Sequence, residues 1–337
     1  MRKYLIPKDG YFYKANLHSH SNLSDGRLSP EEMKAEYKKR GYSILAVSDH
    51  DFLHRHNELT EKDFLLLTAY EINIKDESPH VPYCLKKVVD LNLIAKDPKE
   101  NRHIGFHPQT VQWLVDKGVL TEELVNSAEY AGELRKMEFS VENINKIIKS
   151  ANENGFLVTI NHPMYSLVDF REYSMLEDAW AMEVYNHSCK VTYGSDDSEN
   201  MFEDMLRNGK PLFAVATDDN HNHIEDSFGG FTVIKAKSLD YASVIEALEK
   251  GHFYASTGPE INELYIEGKG VHIKCGAARE VSMLTFGRKG FLCANNDGSL
   301  LDCAEFRIEE DMKYVRFRVV DNQGRKAYTN AYYIGEI

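Results

Sequence analysis

An α/β fold is predicted for this chain, with repeated βα units forming a barrel and a small antiparallel β domain behind it. Three observations predict it. Over the first two thirds, short apolar runs alternate with amphipathic stretches, the rhythm of βα units around a largely parallel sheet. Beyond STGPEI, from about residue 259, the texture changes to short alternating runs broken by turn residues. With 337 residues and 42% apolar content, the chain is long enough to bury a barrel core and a second, smaller domain.

Strands are expected at residues 12–17, 44–47, 64–69, 88–95, 156–160, 181–185 and 212–216. A helix over 30–40 has its own signals: Ser29 as N-cap, Pro30 at the first position, Glu32 at the third and Gly41 at the exit. Helices over 140–154 and 239–250 repeat the pattern, with Ile144, Ile147 and Ile148, or Val244, Ile245 and Leu248, as the apolar stripe. Two short helices in an insertion over about 96–135 are expected to lie over the barrel mouth and shape a pocket. The expected division is therefore 1–258 for the barrel and 259–337 for the β domain.

Composition narrows the function. A net charge of −13 repels polyanions and argues against a protein that coats long duplex nucleic acid. The acidic excess has a second reading, as metal ligands whose charge bound cations cancel. The five cysteines are scattered and lack C-x-x-C spacing, so reduced thiols are expected. The amino-terminal segment has no apolar signal-peptide core and no later run would span a membrane, so a cytoplasmic location is expected.

The chemistry lies at the strand ends. His18 and His20 leave the first strand with a spacing of two, which turns both imidazoles to one side. Asp25 follows in a Ser-Asp-Gly loop, and His50 ends the second strand. Glu71 ends an otherwise apolar third strand, where an unpaired carboxylate is costly. His162 ends the fifth strand, and Asp219 and His221 follow the seventh. Five of about seven strand ends thus deliver His, Asp or Glu, and in βα barrels those ends converge on one site.

The ordered series HSHSNLSDG, SDHD, Glu71, NHP and DNH resembles the motif set of the PHP (polymerase and histidinol phosphatase) superfamily, over roughly residues 11–258. The resemblance implies a distorted (βα)7 TIM-like barrel with two or three divalent ions. His18, His20, Glu71 and Asp219 would hold one, Glu71 and His162 a second, and Asp25, His50 and His221 a third. The sequence departs from the pattern at the fourth strand, where a histidine is usual and Asp90 stands. Asp90 falls inside the predicted strand and is preferred over His80 as the replacement ligand.

A mixed imidazole and carboxylate set suits Zn, Mn or Fe better than Mg or Ca. The expected reaction is phosphoester hydrolysis by metal-activated hydroxide. No G-x-S-x-G elbow, P-loop or Cys-His pair supplies a protein nucleophile. Asp219 and His187 are the catalytic candidates, His187 as a proton donor to the leaving group. Arg27, Arg102, Arg135, Tyr165 and Ser166 are candidates for holding the substrate. The expected substrate is a small nucleotide or other phosphorylated metabolite. Alternatives are a 5′–3′ exonuclease on short oligonucleotides, a metal-dependent amidohydrolase, or a non-catalytic binding protein. The C-terminal domain is expected to supply no metal ligand.

Overall fold

The computed structural model describes residues 2–105, 107–133, 137–194 and 198–337, so Arg135 lies outside the described residues. The chain opens with β1 (Arg2–Tyr4), β2 (Tyr11–Asn16), α1 (Pro30–Lys39), β3 (Ile44–Val47), β4 (Leu65–Lys75) and β5 (Val88–Ala95). The insertion holds β6 (His103–Ile104), α2 (Gln112–Asp116), α3 (Glu122–Ser127) and β7 (Tyr130–Ala131). Then come α4 (Val141–Glu153), β8 (Phe156–Ile160), α5 (Phe170–Tyr173), β9 (Ala181–Asn186), α6 (His187–Tyr193), α7 (Glu199–Arg207) and β10 (Phe213–Thr217). The first part closes with β11 (Phe231–Ala236), α8 (Tyr241–Glu249) and β12 (Phe253–Ser256).

The helix signals act as expected. Ser29 and Glu32 form a reciprocal capping box at the start of α1, which packs Met33 and Tyr37 against Val47, Phe64 and Leu66. Ser140 accepts a bond from the Asn143 amide, and α4 buries Ile144, Ile147, Ile148 and Ala151. Leu65, Leu67 and Ala69 of β4 enter one core cluster, while Tyr70, Ile72 and Ile74 enter another. Burial on both faces explains why these strands read as continuous apolar runs rather than alternating ones.

The strand order is β10-β9-β8-β5-β4-β3-β2-β11-β12. β2, β3 and β4 run parallel, as do β8, β9 and β10, but β5 runs antiparallel to both β4 and β8. The regular βα rhythm therefore breaks at β5, because the loop over 76–87 carries no crossover helix and returns the chain as a hairpin. This reversal brings the start of β5, with Asp90, to the end of the sheet where β4 and β8 finish. Asp90 pairs with Asn73, and Leu91 with Ile160.

Backbone pairing does not close the expected distorted (βα)7 barrel. Among the described residues no backbone ladder joins β10 to β11; Thr232 Oγ1 bridges them, accepting the Ala216 amide (3.3 Å) and donating to its carbonyl (3.1 Å). The sheet instead runs onward from β12 into the C-terminal unit. That unit comprises β13 (Ile261–Glu267), β14 (Gly270–Ala278), β15 (Glu280–Thr285), β16 (Gly290–Cys293), β17 (Leu301–Arg307), β18 (Tyr314–Val320), β19 (Lys326–Thr329) and β20 (Tyr332–Tyr333). The ladder continues β12-β19-β18-β15-β16, and a separate sheet has the order β1-β13-β14-β17. A division at residue 258 is thus crossed twice, by β12 with β19 and by β1 with β13. Arg316 adds a buried tie, meeting Glu199 at 2.9 Å and Glu203 at 2.6 Å from α7.

Among the described residues, the insertion does not line the cavity described below. Val111, Leu114, Leu120 and Val125 pack around Phe52, beside the loop that follows β3. No helix among the described residues is long and apolar enough to cross a membrane.

Candidate metal centre

Three groups of donors, two of them sharing His20, meet where β2, β3, β8 and β10 end, beside Glu71 within β4 and Asp90 near the start of β5. In the first, His18 and His20 point their Nε2 atoms at one spot, 3.0 Å apart. Asp219 Oδ1 stands 3.0 and 3.1 Å from them, and the two Glu71 oxygens 3.3 Å from one each. Donors bound to one ion at about 2.0–2.2 Å are spaced by roughly this much. In the second, His162 Nε2 lies 3.7 Å from Glu71 Oε1 and 3.5 Å from Asp90 Oδ2. In the third, Asp25 lies 3.6 Å from His50 Nε2, 3.4 Å from His221 Nε2 and 3.9 Å from His20 Nδ1. The His20 ring is stacked between those of His50 and His221, both at 4.3 Å. His20 belongs to two groups, one through each ring nitrogen.

The donor set fits a divalent cation cluster. His50 Nδ1 is 3.0 Å from Glu71 Oε2, yet neither atom, nor His20 Nδ1, makes a well-formed hydrogen bond among the described residues. Buried polar atoms are normally satisfied, and cations would satisfy these. The groups contain Asp90, whereas His80 lies in an exposed turn and joins none of them. No residue of the C-terminal unit takes part among the described residues; His272 stacks on Tyr265 and meets Glu305.

A surrounding layer fixes these side chains, and it contains residues that sequence reasoning missed. Glu183, buried in β9, accepts from His18 Nδ1 (2.7 Å), the Thr217 hydroxyl (2.6 Å) and the His162 amide (2.8 Å). His18 thereby keeps its Nε2 lone pair for the cluster. His221 Nδ1 donates to the Asp219 carbonyl at 3.0 Å, which frees its Nε2 in the same way. Asn161 donates to Glu71 at 2.6 Å, and Asp49 gathers the Ser21 amide and the Ser21 and Ser24 hydroxyls. Gly26 is required where it stands, because a Cβ there would lie 2.2 Å from the His20 carbonyl oxygen. His162 and Asp219 have φ values of 26° and 53°, a left-handed backbone that a non-glycine residue keeps only when its surroundings impose it.

The electrostatics are strongly coupled. Burial opposes charge on His20, but the neighbouring Asp219 and Glu71 carboxylates outweigh it and push the imidazole up to about 10. The same balance raises His50 and His162 to about 9 and holds Glu71 and Asp219 well below the usual carboxylate range. Asp90 goes the other way, pushed up to about 7 by burial and by the neighbouring Glu71.

A cavity of about 790 Å³ opens over the donors and is lined by Asp25, His50, Glu71, Asp90, His162, Asp219 and His221. Of the expected substrate residues it includes Tyr165. Ser166 is buried beneath it, bonded to the His162 carbonyl at 3.1 Å. Arg27 is exposed and Arg102 is forked onto Glu100, neither lining the cavity. His187 is also not among the lining residues; its Nδ1 lies 3.0 Å from the Tyr185 hydroxyl, against Gly229. The cations that do line the cavity are Lys75, Lys86 and Lys87, with Lys87 paired to Glu172 at 2.6 Å. They were overlooked because arginine, with its planar fork, is the usual first choice for phosphate.

Glu183→Gln is expected to weaken divalent-metal affinity by about 10–100-fold, since the amide no longer takes the His18 proton as an anion. Competition with a chromogenic chelator measures this, and an unchanged affinity would show that Glu183 does not position His18.

No protein-family model and no curated protein matches the chain. Among solved structures it is similar to a two-domain protein from Bacteroides vulgatus containing a predicted PHP-like metal-dependent phosphoesterase, at 14% identity over 98% of each chain and a TM-score of 0.47. A candidate metal-dependent phosphoesterase from Bifidobacterium adolescentis is 17% identical over 73% of this chain and 97% of its own, with a TM-score of 0.40. An amidohydrolase from Chromobacterium violaceum is 16% identical over 63% of this chain and 89% of its own, with a TM-score of 0.37. Likenesses at this level leave the functional reading to the geometry.

Proposed function

We propose that this chain is a metal-dependent phosphoester hydrolase of the PHP type, acting as a phosphatase or phosphodiesterase on a small nucleotide or other phosphorylated metabolite. The observation that carries the reading is the convergence of three donor groups, two of them sharing His20 and all linked through Glu71, at the floor of one cavity. His18, His20, Asp25, His50, Glu71, Asp90, His162, Asp219 and His221 would hold divalent ions, which when bound would supply Lewis acidity toward a phosphoryl oxygen and a nucleophilic water near neutral pH. The remaining work falls to the chain. Glu183 and the Asp219 carbonyl fix the tautomers of His18 and His221. Asp90 and Glu71 set the negative charge that selects cations, with Zn, Mn or Fe suited to the mixed donors. Lys75, at the end of β4, has no ion-pair partner among the described residues and is free to meet a phosphate oxygen. The cavity volume favours a small substrate over a polymer.

The test is phosphate release from a panel of phosphomonoesters, nucleotides and short oligonucleotides by protein stripped with chelator and reloaded with Mn, Zn or Fe. Metal-dependent release from at least one small phosphoester is expected. Hydrolysis confined to amides or lactones would contradict the reading.

A further inference from the structure

The part of the cavity wall that begins at His162 is apolar and remains open to solvent. Met164, Tyr165 and Leu167 follow that histidine in sequence, and Tyr193 and Ile224 reach the same cavity from the end of α6 and from the loop after Asp219. The rings form a series leading outward. Tyr165 stands edge-on to His162 with centroids 5.2 Å apart, and lies 4.9 Å from Tyr193 at a tilt of 33°. Met164 is 48% exposed, Ile224 50% and Tyr193 59%. A phosphate and a cation cluster need none of this surface, yet exposed apolar side chains gathered round one cavity are what a ligand normally covers. The lysines of the lining come from other segments, the end of β4 and the loop before β5. A volume of about 790 Å³ falls within the range of small-molecule sites, about 300–1,000 Å³.

Resting on the phosphoesterase reading, we infer that the substrate is a phosphoester of an apolar or aromatic alcohol, with its hydrocarbon or ring seated on Met164, Tyr165 and Tyr193. Water adds at phosphorus, the P–O bond to that alcohol breaks, and the alcohol leaves with a proton while phosphate stays at the metal end. A small polar sugar phosphate would leave the shelf wet.

The test separates this inference from the reading it rests on. Phenethylphosphonate and ethylphosphonate, whose C–P bonds resist hydrolysis, are titrated calorimetrically into the metal-loaded protein. The phenethyl compound is expected to bind at least about tenfold tighter, equivalent to about 1.4 kcal/mol. Tyr193→Ala and Met164→Ser, both at exposed positions, should each shrink that ratio, and together bring it near one. Equal binding of the two compounds, or an unchanged ratio in the double variant, overturns the inference. Hydrolysis of phenethyl phosphate and ethyl phosphate, whose alcohols are of similar acidity, is followed in parallel. Equal kcat/KM on both, or release from neither while a nucleotide or other phosphoester of the panel above is hydrolysed, leaves a phosphoesterase and overturns this inference alone, whereas release from no phosphoester at all brings down the phosphoesterase reading and this inference with it.

Discussion

His20→Ala is expected to lower kcat/KM for phosphoester hydrolysis by about a thousandfold or more, while the far-ultraviolet circular dichroism stays unchanged. His20 is the donor shared by two groups, so its removal strips a ligand from both. Cation stabilisation of transition-state charge is worth several kcal/mol, and each ~1.4 kcal/mol is tenfold in rate. The fold should persist because the ring packs among other imidazoles and carboxylates, not in an apolar cluster. His162→Ala should act in the same direction through the second group. Turnover near wild type in either metal-replete variant would remove that residue from the proposed centre.

Metal binding is expected to expel protons and to tighten as pH rises from about 6.5 to 9. In the ion-free protein the imidazoles of His20, His50 and His162 are pushed up to about 10, 9 and 9, so at neutral pH they are charged and pair with Glu71, Asp219 and Asp25. For groups raised above their ordinary value, that stabilisation is full below about 6.5 and is lost as pH climbs through 9 to 10. Cations need neutral imidazoles, so they compete with these protons, and affinity should gain about tenfold per pH unit for each proton displaced. Asp90, raised to about 7, releases its own proton on binding only below that pH. Its charge costs the ion-free fold stability as pH rises from about 4 to 7. Calorimetry in buffers of differing ionisation enthalpy counts the protons. An affinity independent of pH between 6.5 and 9 would mean that these histidines are not ligands.

The donors at the cavity floor were the most legible part of the molecule. A His, Asp or Glu that interrupts or follows an apolar run has few structural uses, and Glu71, His162 and Asp219 stand out in the sequence for that reason, although β4 does not end at Glu71 as expected but continues to Lys75. The direction of β5 was hidden, since the loop over 76–87 does not declare in its residue types whether the chain turns back or crosses over. The ladder from β12 to β19 was equally hidden, because strand pairing depends on edges that the apolar pattern does not identify. Glu183 left one unread signal, a carboxylate in the middle of the buried run AMEVYN. The positive φ of His162 and Asp219 left none, as neither residue type announces a left-handed backbone.

The pairing of β1 with β13 bears on how this protein is made. Arg2–Tyr4 has no partner strand until Ile261–Glu267 has been synthesised, which at 5–20 residues per second takes roughly 13–50 s. For that time Arg2–Tyr4 is an unmated edge, open to pairing with other chains. Two of its three residues, Arg2 and Lys3, are cations. Their charge is the protection that such an edge carries while the polypeptide that will cover it is still unmade.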